Sequence, residues 1–89
     1  MTSYLLHAFS NEVRLKIIIC LKHGEKNVSE LIGNCDLSQS AVSQHLEKLR
    51  KSGLVTTRRE GKEIYYRLTY PKAAHLSINL QELIKEVKS

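Results

Sequence analysis

Cysteine and proline are scarce in this chain of 89 residues, and each scarcity excludes something. Cys20 and Cys35 are too few for a disulfide framework, and their flanks match no zinc pattern. Each stands where a small apolar residue would fit, so both are expected as interior thiols in a reducing cytosol. Pro71 is the single proline, and without repeats or a Pro/Ser-rich linker residues 1–89 are expected to form one domain. No apolar run approaches the roughly 18 residues of a membrane span. The longest, Ile17 to Leu21, is bracketed by Lys16 and Lys22. The first residues lack a basic region followed by an apolar stretch, which reads against a signal peptide and for a cytoplasmic protein. Paired carboxylates, a Ser/His/Asp arrangement, a glycine-rich phosphate loop and a metal cluster are all missing. An enzyme is therefore not expected, nor a cofactor.

What is present is the balance of a folded domain, with 42% hydrophobic and 26% charged residues. A domain this small buries a thin core, so a partner subunit is expected to add stability. The net charge of +5 is unevenly placed. Lys48, Arg50, Lys51, Arg58, Arg59, Lys62 and Arg67, less Glu60 and Glu63, account for all of it, and the remaining charges cancel. A neutral body with one basic segment is the footprint of a polyanion binder.

The punctuation predicts helices first. Ser10 or Asn11 can cap a helix from Glu12 to Lys22, stopped by Gly24. Asn27 followed by Glu30 resembles a capping box opening a short helix, and Gly33, Asn34 and Asp36 then force a turn. Ser38 caps a helix over 39–51, with Val42, Leu46 and Leu49 at helical spacing and Gly53 at its end. After Gly53 the period becomes two. The segment 54–68 reads as a hairpin turning at Glu60-Gly61-Lys62, with Ile64, Tyr66 and Leu68 on one face. Pro71 suits the start of a last helix over 71–88, and a short first helix is expected over 2–9. The fold class is mainly α with a β-hairpin wing: a winged helix-turn-helix.

The span from Asn11 to Leu68, about two thirds of the chain, resembles the ArsR/SmtB family of bacterial and archaeal repressors. The resemblance lies in Asn11-Glu-Val-Arg-Leu, Val28-Ser-Glu-Leu and Leu37-Ser-Gln-Ser-Ala-Val-Ser-Gln-His-Leu46. Leu49-Arg-Lys-Ser-Gly-Leu-Val55 and Arg59-Glu-Gly-Lys-Glu-Ile-Tyr-Tyr-Arg-Leu68 continue it in unbroken order. It implies a homodimer that binds an inverted repeat in double-stranded DNA and represses transcription. Gln39, Ser40, Ser43 and Gln44, with Glu47 beside them, are then the outward face of the recognition helix, able to reach base edges. His45 stands at the border of that face, as open to a structural hydrogen bond as to a DNA contact. Arg58, Arg59 and Lys62 would meet backbone phosphate from the wing, and Lys48, Arg50 and Lys51 would extend the positive surface.

Dimerisation is expected through the terminal helices. Tyr4, Leu5 and Phe9 at one end and Leu76, Leu80, Leu83 and Val87 at the other are more apolar than a lone monomer would expose. The signal that is sensed stays open. Family members that sense metals use a Cys-x-Cys pair, and the matching positions here are Asn27 and Ser29. The last helix offers His75, Asn79 and Glu82 without the His-rich spacing of a second family site, so no metal site is expected. Two alternatives stand beside the repressor reading: a winged helix that binds protein, and a thiol-responsive repressor using Cys20 and Cys35.

Overall fold

Each internal helix begins where the sequence supplies an acceptor for its free amides. The computed structural model describes residues 2–88. Helix α1 spans Thr2–Ala8 and α2 spans Glu12–Cys20, continued by a 3-10 turn over Leu21–His23. Asn11 Oδ1 caps α2 by accepting from the amides of Val13 and Arg14 at 2.9 and 3.2 Å. Strand β1 (Lys26–Asn27) leads straight into α3 (Val28–Cys35). Asn27 forms the expected capping box: its Oδ1 accepts from the Glu30 amide at 2.8 Å, and its own amide donates to Glu30 Oε1 at 3.0 Å.

A turn of three residues, with Asp36 left-handed at φ 54°, separates α3 from α4 (Gln39–Ser52). Ser38 Oγ caps α4 through the Ala41 amide. Val42, Leu46 and Leu49 are buried along one side of that helix, at the spacing the sequence predicts. Gly53 closes it at φ 86°, a backbone conformation that glycine adopts without penalty. The core cluster then gathers Ile17 and Ile18 from α2, Leu31 from α3, the three α4 residues, and Leu54 and Val55 at the entry to the wing.

The wing is β2 (Val55–Glu60) and β3 (Glu63–Leu68), paired antiparallel from Val55 opposite Leu68 to Glu60 opposite Glu63. Gly61, at φ 62°, takes the first position of the two-residue turn, where a positive φ is needed. Tyr66 and Leu68 pack on the core, whereas Ile64, nearer the tip, is exposed. Helix α5 (Lys72–Lys88) packs against α2 and buries Ala73, Ala74 and Ser77. Lys88 reaches Glu12 at 3.2 Å across that contact.

Two features depart from the sequence reading. The sheet has three strands in the order β1-β3-β2, because Lys26 and Asn27 pair with Tyr66 and Tyr65. A strand of two residues has no period to read. The cysteines are not separate interior fillers: both are half-buried and are joined as a disulfide, with Cα atoms 6.2 Å apart. They meet because α2 and α3 end side by side. Since Asn27 both ends β1 and caps α3, Asn27→Ala is expected to destabilise the fold by about 1 kcal/mol. Urea unfolding monitored by circular dichroism checks it, and an unchanged midpoint would show that the cap is idle.

Candidate nucleic-acid interface

The solvent side of α4 is built by the burial of its other side. With Val42, Leu46 and Leu49 locked in the core, Gln39, Ser40, Ser43, Gln44, Glu47 and Lys48 are all exposed. The first four carry amides and hydroxyls that both donate and accept, the chemistry that base edges in a major groove require. Glu47 is neutralised within the face: Arg50 grips it with two hydrogen bonds of 3.2 and 2.6 Å, and this pulls its carboxyl below the ordinary range. A carboxylate on this helix therefore carries its own counter-ion, and Arg50 is correspondingly less available to a phosphate.

His45 belongs to a different arrangement. Arg14 of α2 is buried, at 3% exposure, and its guanidinium serves three elements at once. Nε donates to the Ala8 carbonyl at 3.2 Å, and Nη2 donates to the His7 carbonyl at 2.8 Å and to Ser10 Oγ at 3.1 Å. Nη1 lies 3.1 Å from His45 Nδ1. Arginine has no acceptor, so Nδ1 must take the hydrogen bond with its lone pair, which holds the imidazole neutral. Burial lowers the His45 pKa, and the positive charges of Arg14 and Lys48 lower it further. Of the two roles open to His45 in the sequence, the structure supplies the structural one. Nothing local in the sequence marks the partnership, because the two residues are 31 positions apart.

The wing divides the three cations expected at its tip. Arg59 and Lys62 are exposed beside the turn, where Arg59 Nε donates to the Gly61 carbonyl at 3.2 Å. Arg58 points back toward the body. It holds Glu25 with two hydrogen bonds, holds Glu60 at 3.0 Å, and stacks its guanidinium 4.9 Å from the Tyr65 ring centre. Those bonds raise the Arg58 pKa and hold the Glu25 carboxyl below its usual range. Arg58 thus braces the wing against the segment before β1, and Tyr65 is half-buried beneath it. Glu25 is the residue that sequence reasoning missed.

On α1 and α5 and just before α5, Tyr4, Leu6, Leu76, Leu83 and Val87 are exposed, as are Leu5 and Tyr70. Phe9 and Leu80 are half-buried, and Phe9 packs on the domain's own core. The positions that match a thiolate metal site are Asn27, spent on its capping box, and Ser29, which is exposed. Among the described residues no group of three or more His, Cys, Asp or Glu is placed to hold a metal ion.

A family model described as bacterial regulatory protein, arsR family, matches residues 11–57, from the cap of α2 into the wing. The chain belongs to the ArsR family. This is a family of regulatory proteins, not of enzymes. The transcriptional activator HlyU of Vibrio cholerae is 49% identical over 65 residues, which cover 73% of this chain and 60% of HlyU. The chain spans about 60% of the length of such curated relatives. The crystal structure of the transcriptional repressor BigR from Xylella fastidiosa superposes with a TM-score of 0.77 at 43% identity, covering 92% of this chain and 84% of BigR. The homodimeric winged helix-turn-helix DNA-binding domain Mb0332 from Mycobacterium bovis gives 0.75 at 30% identity, covering 96% and 79%.

The Arg14–His45 bond makes this ArsR-family fold sensitive to acid. A histidine whose pKa is lowered on folding binds its proton more readily when unfolded, so stability rises with pH between the folded and unfolded values. The contribution of His45 is complete above about 6.5 and is lost as the pH falls below it. Thermal unfolding across pH 5 to 8 should show that loss in the native chain, and a shallower one in His45→Gln, which keeps a neutral acceptor. Identical slopes would mean that His45 takes its proton freely in the folded state.

Proposed function

We propose that this chain is a sequence-specific, double-stranded-DNA-binding transcriptional repressor that acts in the cytoplasm as a homodimer. The observation that carries the reading is the exposed row Gln39, Ser40, Ser43 and Gln44 on a helix whose opposite side is anchored in the core, next to a basic wing. A rigid helix with an adaptable polar face suits the major groove, and its N-terminus favours the flanking phosphates. Arg59 and Lys62 then meet the backbone beside the groove, with Lys48 adding positive charge from α4. Arg58 sets the wing's angle instead, because any phosphate would compete with the two carboxylates it already holds. No helix among the described residues is long and apolar enough to cross a membrane.

Base reading and phosphate binding separate experimentally. Against an operator selected from random-sequence DNA, Gln44→Ala should erase about 1–3 kcal/mol of discrimination at one base pair per half-site while non-specific affinity holds. Arg59→Ala with Lys62→Ala should weaken binding to every sequence. It should also flatten the plot of log affinity against log salt by about 0.9 for each phosphate no longer neutralised. A Gln44 variant with its preference intact, or a wing variant with its slope intact, would remove that element from the interface. Binding to no DNA at all would leave the fold without this function.

The dimer rests on α1 and α5. Tyr4, Leu76, Leu83 and Val87 expose apolar surface that a second copy can cover about a two-fold axis, in line with the homodimeric Mb0332 domain. Leu5 and Leu76 also line an apolar groove with Phe9, Leu54 and Tyr70 that the same packing would fill. Leu80 adds its half-buried side chain to the stripe. Leu83→Asp is expected to convert a dimer to a monomer in sedimentation, with operator affinity falling roughly tenfold or more while the circular dichroism of the fold is kept. A dimer that survives this change would place the interface elsewhere.

A further inference from the structure

Lys51 and His7 have no part in the interface proposed above. Lys51 nevertheless stands on the reading side of α4, reached from Ser40 through Gln44 and Glu47 in steps of four, three and four residues. That side has two different flanks. On one, α4 packs against β2, and Arg50 lies close enough to Tyr66 of β3 to interact with it electrostatically. On the other, His45 meets Arg14, whose other donors reach the carbonyls of His7 and Ala8 at the end of α1. Wing and α1 therefore bracket the reading side, because His45 and Arg50 diverge from it in opposite directions around the helix. Between α1 and its flank lies a cavity of about 220 Å³, lined by Tyr4, His7, Ala8, Lys48 and Lys51. Pockets for organic ligands begin at about 300 Å³, so this one suits a single small group. Its side-chain polar groups are two ammonium groups, an imidazole and a phenol hydroxyl, all able to donate, and among the described residues no carboxylate lines it. Neither lysine is held in an ion pair among the described residues.

We propose that this cavity takes a backbone phosphate of the DNA that α4 reads, on the flank opposite the wing. The inference rests on the DNA-binding reading and adds a second anchor to it. Lys48 and Lys51 supply the charge, and His7 donates a ring N–H, a set of donors suited to a phosphate oxygen. The walls of a major groove are the two DNA backbones. Arg59 and Lys62 hold one wall, and the cavity holds the other. Phosphate contacts on one flank alone would leave α4 free to roll about its axis in the groove. Contacts on both flanks fix which of Ser40, Ser43 and Gln44 reach the bases. Helix α1 then belongs to the DNA contact as well as to the proposed dimer.

The test uses the full chain and the selected operator, synthesised with a neutral methylphosphonate at one backbone position at a time. Affinity is measured for the native chain, for Lys51→Gln, for His7→Ala, and for Arg59→Ala with Lys62→Ala. Both Lys51 and His7 are exposed, so the fold should be kept, which circular dichroism checks. For the native chain, affinity should fall roughly fivefold or more at one phosphate on each strand of a half-site. One of those losses should disappear in Lys51→Gln and in His7→Ala yet persist in the wing variant, and the other should do the reverse. Lys51→Gln should also flatten the plot of log affinity against log salt by about 0.9. Native interference in either Lys51→Gln or His7→Ala would overturn the cavity as a phosphate site, as would losses that map to the phosphate held by the wing. Such a result in variants that still read bases through Gln44 refutes this inference alone. A chain that binds no DNA refutes the repressor reading, and this inference with it.

Discussion

One guanidinium ties α1, α2 and α4 together at a single point. Arg14 is buried at the junction of α1, α2 and α4, and it binds the last two carbonyls of α1, the Ser10 hydroxyl and the His45 ring. A charge can be buried only if its donors are matched, and here two carbonyls, a hydroxyl and an imidazole nitrogen do the matching in place of a carboxylate. The two carbonyls lie at the C-terminal end of α1, where positive charge is favoured. So the same group closes α1 and orients α4, the helices proposed to meet a second subunit and DNA. A shift of α1 at the dimer junction would be felt at His45 through a single side chain.

Electrostatics in the remainder of the face follow a similar economy. Glu47 and Arg50 cancel on α4, and Arg58 cancels against Glu25 and Glu60 at the wing. Surface pairs like these add little to stability. Their effect is on which cations of the basic segment stand outside these pairs: Lys48, Lys51, Arg59, Lys62 and Arg67. The formal charge of the basic segment overstates the charge that a phosphate would meet.

Local chemistry was legible in the sequence, and distant pairing was not. Asn11, Asn27, Ser38 and Gly53 act where their residue types alone place them, because capping involves neighbours within a few positions. The buried row of α4 and the turn at Gly61 were legible for the same reason. Arg14 with His45, Arg58 with Glu25, and Cys20 with Cys35 are separated by 31, 33 and 15 residues. No period or cap encodes such separations. They exist only once α2, α3 and the wing have been brought together, so residues read singly show none of these pairings.

Strand β1 has a consequence out of proportion to its two residues. Asn27 pairs with Tyr65 in the wing and also opens α3 as its cap. The wing cannot slide along β3 without uncapping the first helix of the helix-turn-helix. The proposed base reader and phosphate clamp are thereby linked through β1. Each subunit would then impress a footprint of fixed length on its half-site, and any tolerance for the spacing between half-sites would reside in the junction between two copies.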